Sequence, residues 1–184
     1  MSEERFCPYI DFALQAIGEA GREILLSVQG TSMLPLMMQG DRVSIRPMPA
    51  GMIEVGDVFA FRENGKVIVH RCVGKKTRDG SMRFCQKGDN LEGWSWVREE
   101  QVIGKVERIV KPGKVLQLST RPWSRAGRVM GFLVCVWISV AEKSRSSIGA
   151  ASRSRIAPLL SALSRTTAYT INGLWSFSVK WLHG

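Results

Sequence analysis

The stretch Val58-Phe-Ala-Phe-Arg-Glu-Asn-Gly-Lys-Val-Ile-Val-His-Arg-Cys-Val73 decides the fold of this chain. Two runs rich in β-branched and aromatic residues flank Asn64-Gly65, a pair typical of two-residue type I′ turns. Because such turns join neighbouring antiparallel strands, this stretch predicts a β-hairpin. Side chains alternate along a strand, so His70 and Cys72 should lie on one face of the second strand and Arg71 on the other.

The same pattern continues outward on both sides of this hairpin. Further short apolar runs, separated by turn residues, occupy 24–28, 42–45, 82–85, 102–110 and 115–118. Asp79-Gly80 predicts a second tight hairpin, and Pro112-Gly113 predicts another turn. The fold class expected is therefore mainly β, an antiparallel core with a helix before it and a helical tail after it.

The chain divides into three predicted parts. Apolar residues near helical spacing predict a short amphipathic helix within 1–23, and residues 24–120 form the β domain. Residues 121–184 form a basic tail with nine Lys or Arg and one acidic residue, Glu142, whereas residues 1–120 hold 17 basic and 15 acidic residues. The net charge of +10 is thus concentrated in the tail.

The tail begins with the apolar run 129–141, which is shorter than the about 20 residues that a spanning helix needs. It also holds four of the six tryptophans, Trp123, Trp137, Trp175 and Trp181. Basic residues mixed with Trp, Phe and Leu predict a helix in the headgroup region, with membrane lipids as partners of residues 121–184. The alternatives are a helix packed on the β domain or a segment that binds a protein partner. The tail is too apolar for a phosphate-contacting arm, which argues against nucleic acid.

The four cysteines contain no C-x-x-C pair and the only histidines are His70 and His183, so neither a zinc site nor any cofactor is predicted. Four cysteines in 184 residues do not make a disulfide framework, and free thiols are typical of a reducing compartment. The N-terminus has no unbroken apolar segment that would act as a secretory signal or anchor. We therefore expect a membrane-associated protein whose β domain lies on the cytoplasmic side.

Three short motifs carry candidate chemistry. Val28-Gln-Gly-Thr-Ser-Met-Leu-Pro35 presents Ser32 in a turn between Gly30 and Pro35, and His70 lies within the predicted strand. Taken singly, the serine is a common turn residue and the histidine a common half-buried strand residue. Lys87-Gly-Asp-Asn90 can deliver Asp89 to orient the imidazole, can brace its own loop, or can be a plain β-turn.

In this order the motifs resemble the S24/S26 clan of serine peptidases, which contains the signal peptidases and LexA-like repressors. The resemblance spans about residues 28–110. The matching motifs are Ser32 in a G-x-S-M-x-P box, Gly40-Asp41, Gly56-Asp57, His70-Arg71, Gly88-Asp89-Asn90 and Gly104. Histidine at position 70 is similar to the endoplasmic-reticulum, archaeal and sporulation-type signal peptidases, whereas bacterial signal peptidases carry lysine there.

The resemblance implies a role for each matching residue. Ser32 would be the nucleophile, His70 the general base, and Asp89 the group that holds the imidazole tautomer. Backbone N–H groups of Ser32 and its neighbours would bind the oxyanion and substrate, which involves Gly30, Thr31 and Met33. Residues implied to support the motif structurally are Pro35, Asp41, Asp57, Arg71 and Gly88.

The function expected from the resemblance is a signal-peptidase-type serine endopeptidase that cleaves an extended peptide or precursor protein near a membrane. The chain departs from the clan because we expect neither an N-terminal membrane anchor nor an N-terminal DNA-binding domain. LexA-like members cleave their own chain at Ala-Gly or Cys-Gly; Ala20-Gly21 occurs here, but only eleven residues before Ser32 and at the end of the predicted helix, which argues against self-cleavage. The alternatives are a regulatory or autoproteolytic LexA-like peptidase that acts on itself or on a dedicated partner, or a non-catalytic membrane adaptor with the same fold.

Overall fold

The fold is described from a computed structural model of the chain. It describes residues 23–91 and 93–120, together with helical positions 123, 125, 127–129, 131–132 and 134–136. The helix predicted within 1–23 lies outside the described residues, as do Ala20-Gly21 and the tail from 137 onward. The predicted division of the chain at residue 120 stays a prediction.

The described chain is built on antiparallel strands, which confirms the fold class predicted from the sequence. The strands are β1 (Ile24–Ser27), β2 (Arg42–Pro47), β3 (Val58–Glu63), β4 (Lys66–Arg78), β5 (Ser81–Lys87), β6 (Ser95–Arg98), β7 (Val102–Lys111) and β8 (Lys114–Gln117). Two 3-10 turns, Ala50–Met52 and Glu99–Gln101, precede β3 and β7. The sequence analysis did not predict β6 and ended β4 too early, at residue 73.

The strands form one curled sheet in the order β1-β2-β7-β3-β4-β5-β6, with β8 paired to β7. Register shifts interrupt the pairing between Ser44 and Ile45, between Ala60 and Phe61, and between Cys72 and Gly74. Extra residues of this kind bend a strand and increase its twist, which accounts for the curl of the sheet.

Both predicted tight hairpins are confirmed. Asn64 and Gly65 have φ values of 51° and 69°, and Asp79 and Gly80 have 54° and 75°. A type I′ turn requires a positive φ at both central residues, and Asn, Asp and Gly tolerate it best. These turns place β4 between β3 and β5.

The faces of β3 and β4 contribute to two separate apolar clusters. One contains Val58, Ala60, Val67 and Val69, and the other contains Phe59, Phe61, Ile68 and Cys72. This division follows the alternation of a strand and confirms the predicted face of Cys72. His70 lies on that second face, with its ring centroid 6.1 Å from the ring centroid of Phe61.

The described helical positions between 123 and 136, here called the tail segment, pack on the sheet. A Cβ on Gly131 would lie 2.7 Å from the Gly56 nitrogen, and Val134 is buried beside Val73. Positions on the other side of the tail segment are apolar and exposed, namely Val129, Phe132 and Val136. No helix among the described residues has both the length and the apolar character needed to cross a membrane.

Candidate active site

Ser32 and His70 meet although 38 positions separate them in the chain. Ser32 lies half-buried in the turn between β1 and β2, and His70 is buried in the middle of β4. The Ser32 Oγ is 3.0 Å from Nε2 of His70, which is hydrogen-bond distance. The structure therefore brings together the hydroxyl and the imidazole that the sequence analysis singled out.

The other imidazole nitrogen faces Gln86 on β5. Oε1 of Gln86 lies 2.5 Å from Nδ1 of His70, and Nε2 of Gln86 donates to Oγ of Ser95 at 2.7 Å. Burial is the main cause that holds the pKa of His70 below its ordinary value, and the hydrogen bond that the ring makes to the Gln86 side chain partly opposes this effect. A buried neutral imidazole with a free lone pair on Nε2 can take a proton from the Ser32 hydroxyl.

The loop after β5 holds the backbone of the Ser32 turn. Asn90 donates its backbone N–H to the carbonyl oxygen of Ser32 at 2.8 Å, and its side-chain amide donates to the carbonyl of Thr31 at 3.2 Å. A Cβ on Gly88 would lie 2.8 Å from the Ser32 carbonyl oxygen, so only glycine fits this approach without a shift. The turn itself contains a cis peptide bond between Leu34 and Pro35.

The structure corrects the expectation that Asp89 orients the imidazole. The Asp89 carboxylate instead receives two hydrogen bonds from the Arg71 guanidinium, at 2.8 and 2.6 Å, and both side chains are buried. Arg71 and His70 are consecutive on β4 and therefore point to opposite faces of the strand. A third guanidinium N–H donates to the carbonyl of Gly56 at 2.9 Å. Asp89 braces its own loop, the second role that the sequence analysis had considered.

The two Gly-Asp boxes have the same local construction. Oδ2 of Asp41 accepts the backbone N–H of Met38 at 2.8 Å, and Oδ2 of Asp57 accepts that of Glu54 at 2.9 Å. Each carboxylate also pairs with a lysine of β7: Asp41 with Lys111 at 2.5 Å and Asp57 with Lys105 at 2.7 Å. Both aspartates therefore close a turn and tie it to β7, which lies between β2 and β3 in the sheet.

The neighbours of Ser32 that were implied to bind the oxyanion and substrate differ in their exposure. Gly30 is exposed, has no atom within 4 Å of an added Cβ and does not adopt a positive φ, whereas Gly88 is the glycine that closely approaches the Ser32 backbone. The Met33 side chain is buried in the core cluster with Leu36, which leaves only its backbone facing the turn. Thr31 is exposed.

Sequence reasoning missed Gln86 and Ser95 altogether and did not assign a role to Asn90. Asn90 had a signal, because it directly follows Asp89 in the box that resembles the clan motif. Gln86 and Ser95 carried no sequence signal. β6, which holds Ser95, was not predicted, and the pairing of Gln86 depends on the register shift between Cys72 and Gly74. Within the described part of the chain, no group of three or more His, Cys, Asp or Glu side chains is placed to hold a metal ion.

Residues 2–85 match the family model described as Peptidase S24-like. This range contains both Ser32 and His70 and ends on β5, one residue before Gln86. A comparison with curated proteins gave no significant match. Together with the antiparallel curled sheet, the family-model match supports an S24/S26-clan serine peptidase family.

Proposed function

We propose that this protein is a serine endopeptidase of signal-peptidase type, in which Ser32 is the nucleophile and His70 the general base. The observation that carries the proposal is the 3.0 Å contact between Ser32 Oγ and His70 Nε2. A nucleophile and its base within hydrogen-bond reach, with the base held by a further group, is the arrangement that acyl transfer needs. The S24-like family match supports the same class of reaction.

The reaction begins when Oγ of Ser32 attacks a peptide carbonyl carbon while its proton passes to Nε2 of His70. Backbone N–H groups of Ser32 and its neighbours meet the oxyanion of the tetrahedral intermediate. The C–N bond then breaks as His70 gives the proton to the leaving amine, which leaves an acyl ester on Ser32. Water, deprotonated by the same imidazole, hydrolyses that ester and restores the hydroxyl.

The substrate proposed is an extended peptide segment of a precursor protein. Extended peptides bind sheet proteins by adding a strand to an edge, where main-chain hydrogen bonds supply affinity. β1 is an end strand of the described sheet, and the chain passes from β1 directly into the turn that carries Ser32. A peptide strand along β1 would therefore run toward the nucleophile.

The tail is proposed to bring the domain to a membrane surface. The tail segment packs on the sheet through one side and exposes Val129, Phe132 and Val136 on the other. Arg125 and Arg128 are exposed on the same segment, and residues 121–184 carry nine basic residues and one acidic residue. An apolar stripe beside basic residues suits insertion at the headgroup level of an anionic bilayer.

The experiment that tests the peptidase proposal is labelling of the full chain with an alkyl fluorophosphonate, which phosphonylates an activated serine with loss of fluoride. Mass spectrometry of the digested protein should locate one adduct, on Ser32. The adduct should be absent from Ser32→Ala and from His70→Ala, and present in the controls Ser81→Ala and His183→Gln. Absence of an adduct from the wild-type protein, or an adduct that persists in His70→Ala, would refute the Ser32–His70 mechanism.

A further inference from the structure

The imidazole of His70 is held on its far side by an amide and not by a carboxylate. Gln86 is buried, and its Oε1 lies 2.5 Å from Nδ1 of His70. Its Nε2 donates to Oγ of Ser95 on the neighbouring strand β6, at 2.7 Å. Together with the Ser32 contact, these hydrogen bonds form a continuous hydrogen-bonded chain from Ser32 through His70 and Gln86 to Ser95.

This hydrogen-bonded chain determines which nitrogen of the His70 imidazole carries the proton. An amide oxygen can only accept a hydrogen bond, so Nδ1 of His70 must carry the hydrogen. In the neutral ring, Nε2 then has its lone pair directed at Ser32 Oγ, which is the tautomer that a general base needs. Ser95 completes the arrangement, because its hydroxyl accepts from the Gln86 NH₂ group while the amide oxygen faces the ring.

We propose that Gln86, directed by Ser95, is the positioning residue of this site, and that the site operates with a neutral group where serine hydrolases commonly have a carboxylate. This inference rests on the proposed peptidase function and deepens it. Asp89 is not available for this role, because both of its carboxylate oxygens receive hydrogen bonds from Arg71.

A neutral positioning group has a consequence for the titration of His70. Burial lowers the pKa of the ring, and the hydrogen bond to Gln86 raises it. Charged groups also act from the elements around the ring: Asp89 and Glu63 raise the pKa, and Lys87 lowers it. Among the described residues no carboxylate contacts Nδ1, so the imidazolium formed during the reaction is paired there with a neutral amide. The base should consequently remain deprotonated at mildly acidic pH.

The substitution that separates orientation from charge is Gln86→Glu. It keeps an acceptor opposite Nδ1 and adds a negative charge, so the Nδ1–H tautomer should persist while the pKa of His70 rises by about one unit. The acid limb of the fluorophosphonate acylation rate should move to higher pH by the same amount. Gln117→Glu is the matched control, because it adds the same charge at an exposed position on β8 and should leave the limb in place.

The substitution that removes orientation is Gln86→Leu. Without an acceptor the ring loses its fixed tautomer, and a misplaced base costs about 100-fold in acylation rate. Ser95→Ala leaves the amide in place but undirected, so its loss should be smaller, about tenfold. If Gln86→Leu does not fold, Gln86→Glu and Ser95→Ala still carry the test.

A spectroscopic measurement can determine the tautomer of His70 without any acylation reaction. The chain contains two histidines, so ¹⁵N spectra of the full-length protein, assigned with His183→Gln, report the tautomer of His70 directly. An Nδ1–H signal in the wild-type protein and in Gln86→Glu supports the proposal. An Nε2–H tautomer in the wild-type protein, or an acid limb that Gln86→Glu does not move, overturns it.

The two readouts keep the failure of this inference apart from the failure of the proposed function. Wild-type labelling at Ser32 together with an Nε2–H ring would leave the peptidase standing and remove Gln86 as its positioning residue. No labelling at Ser32 together with an Nδ1–H ring would refute the peptidase, and with it the catalytic use of this contact.

Discussion

Gly88 lies against the carbonyl oxygen of Ser32 so closely that a Cβ at position 88 would be 2.8 Å from that oxygen. The same loop also makes two hydrogen bonds to this turn. The Asn90 backbone N–H donates to the carbonyl of Ser32, and the Asn90 side-chain amide donates to the carbonyl of Thr31. The loop after β5 thus holds the backbone that presents the proposed nucleophile. Its own position is fixed by the buried ion pair between Asp89 and Arg71.

The close approach predicts a strong effect for Gly88→Ala. The added methyl group would meet the Ser32 carbonyl oxygen as well as the Leu91 side chain, so the Ser32 backbone must shift, and moving the hydroxyl by about 1 Å costs on the order of 100-fold in rate. Fluorophosphonate acylation of Ser32 measures the loss. Gly93→Ala is the control, because an added Cβ there meets nothing within 4 Å and the rate should not change. Equal rates in the two variants would contradict the argument.

Ser32 and His70 should behave as one unit. Because the base acts only through the nucleophile, removing the second partner after the first should cost little more. The rate of peptide cleavage by Ser32→Ala/His70→Ala should therefore be close to that of each single variant. A double variant whose loss equals the product of the two single losses would mean that the two side chains act independently.

The pH dependence of stability follows from the lowered pKa of His70. The unfolded chain has the ordinary histidine pKa of about 6.5, so as pH falls through that value the unfolded state binds a proton that the folded state does not. Unfolding becomes easier, by at most about 1.4 kcal/mol per pH unit, until the folded pKa is reached. The difference in free energy of unfolding between the wild-type protein and His70→Gln, measured in urea, should shrink from pH 8 to pH 5. A difference that stays constant over this range would show that His70 titrates alike in both states.

Asp89→Asn tests the bracing role of the loop. Both partners of the Asp89–Arg71 pair are 3% exposed, and breaking a buried pair costs about 3–5 kcal/mol because one charge remains uncompensated. Asp79→Asn is the matched control, since the Arg78–Asp79 pair is 67% and 80% exposed and contributes about 0–1 kcal/mol. Urea unfolding should separate the two variants clearly. Similar small losses in both would mean that the Arg71 guanidinium is not held by Asp89.

Much of the fold could be predicted because its signals are local. Asn64-Gly65 and Asp79-Gly80 specify tight turns by their own backbone preferences, and alternation along β4 assigns His70 to its face without knowledge of the partner strands. β6 carried no such signal. It is only four residues long, it includes the polar residues Ser95 and Arg98, and it pairs with β5 alone.

The contact between His70 and Gln86 could not be predicted for a geometrical reason. Counting outward from the Asp79-Gly80 turn without interruption pairs Val73 with Gln86, which places Gln86 on the face opposite to His70. In the structure Val73 is an extra residue of β4 without a pairing partner on β5, so Cys72 pairs with Gln86. Shifting the register by one residue exchanges the faces, and Gln86 then points to the side of Cys72 and His70.

The exposed side of the tail segment gives a direct test of membrane docking. Val129 and Phe132 are 61% and 65% exposed, and burying each such side chain in a bilayer contributes about 1.5–3 kcal/mol. Val129→Ser/Phe132→Ser in the full chain should therefore lower binding to anionic phosphatidylserine vesicles by at least about tenfold in a flotation assay. Met52→Ser is the control, because Met52 is an equally exposed apolar residue (64%) that lies outside the tail.

The basic residues should contribute separately to the same binding. Arg125→Gln/Arg128→Gln removes two charges worth about 1 kcal/mol each near an anionic surface, and its effect should vanish at high salt because the attraction is screened. The effect of the serine variants should persist at high salt, since apolar insertion does not depend on screening. Flotation that neither pair of substitutions reduces would mean that this side of the tail segment does not meet the bilayer. Binding to neutral phosphatidylcholine vesicles equal to binding to anionic ones would exclude the charge contribution.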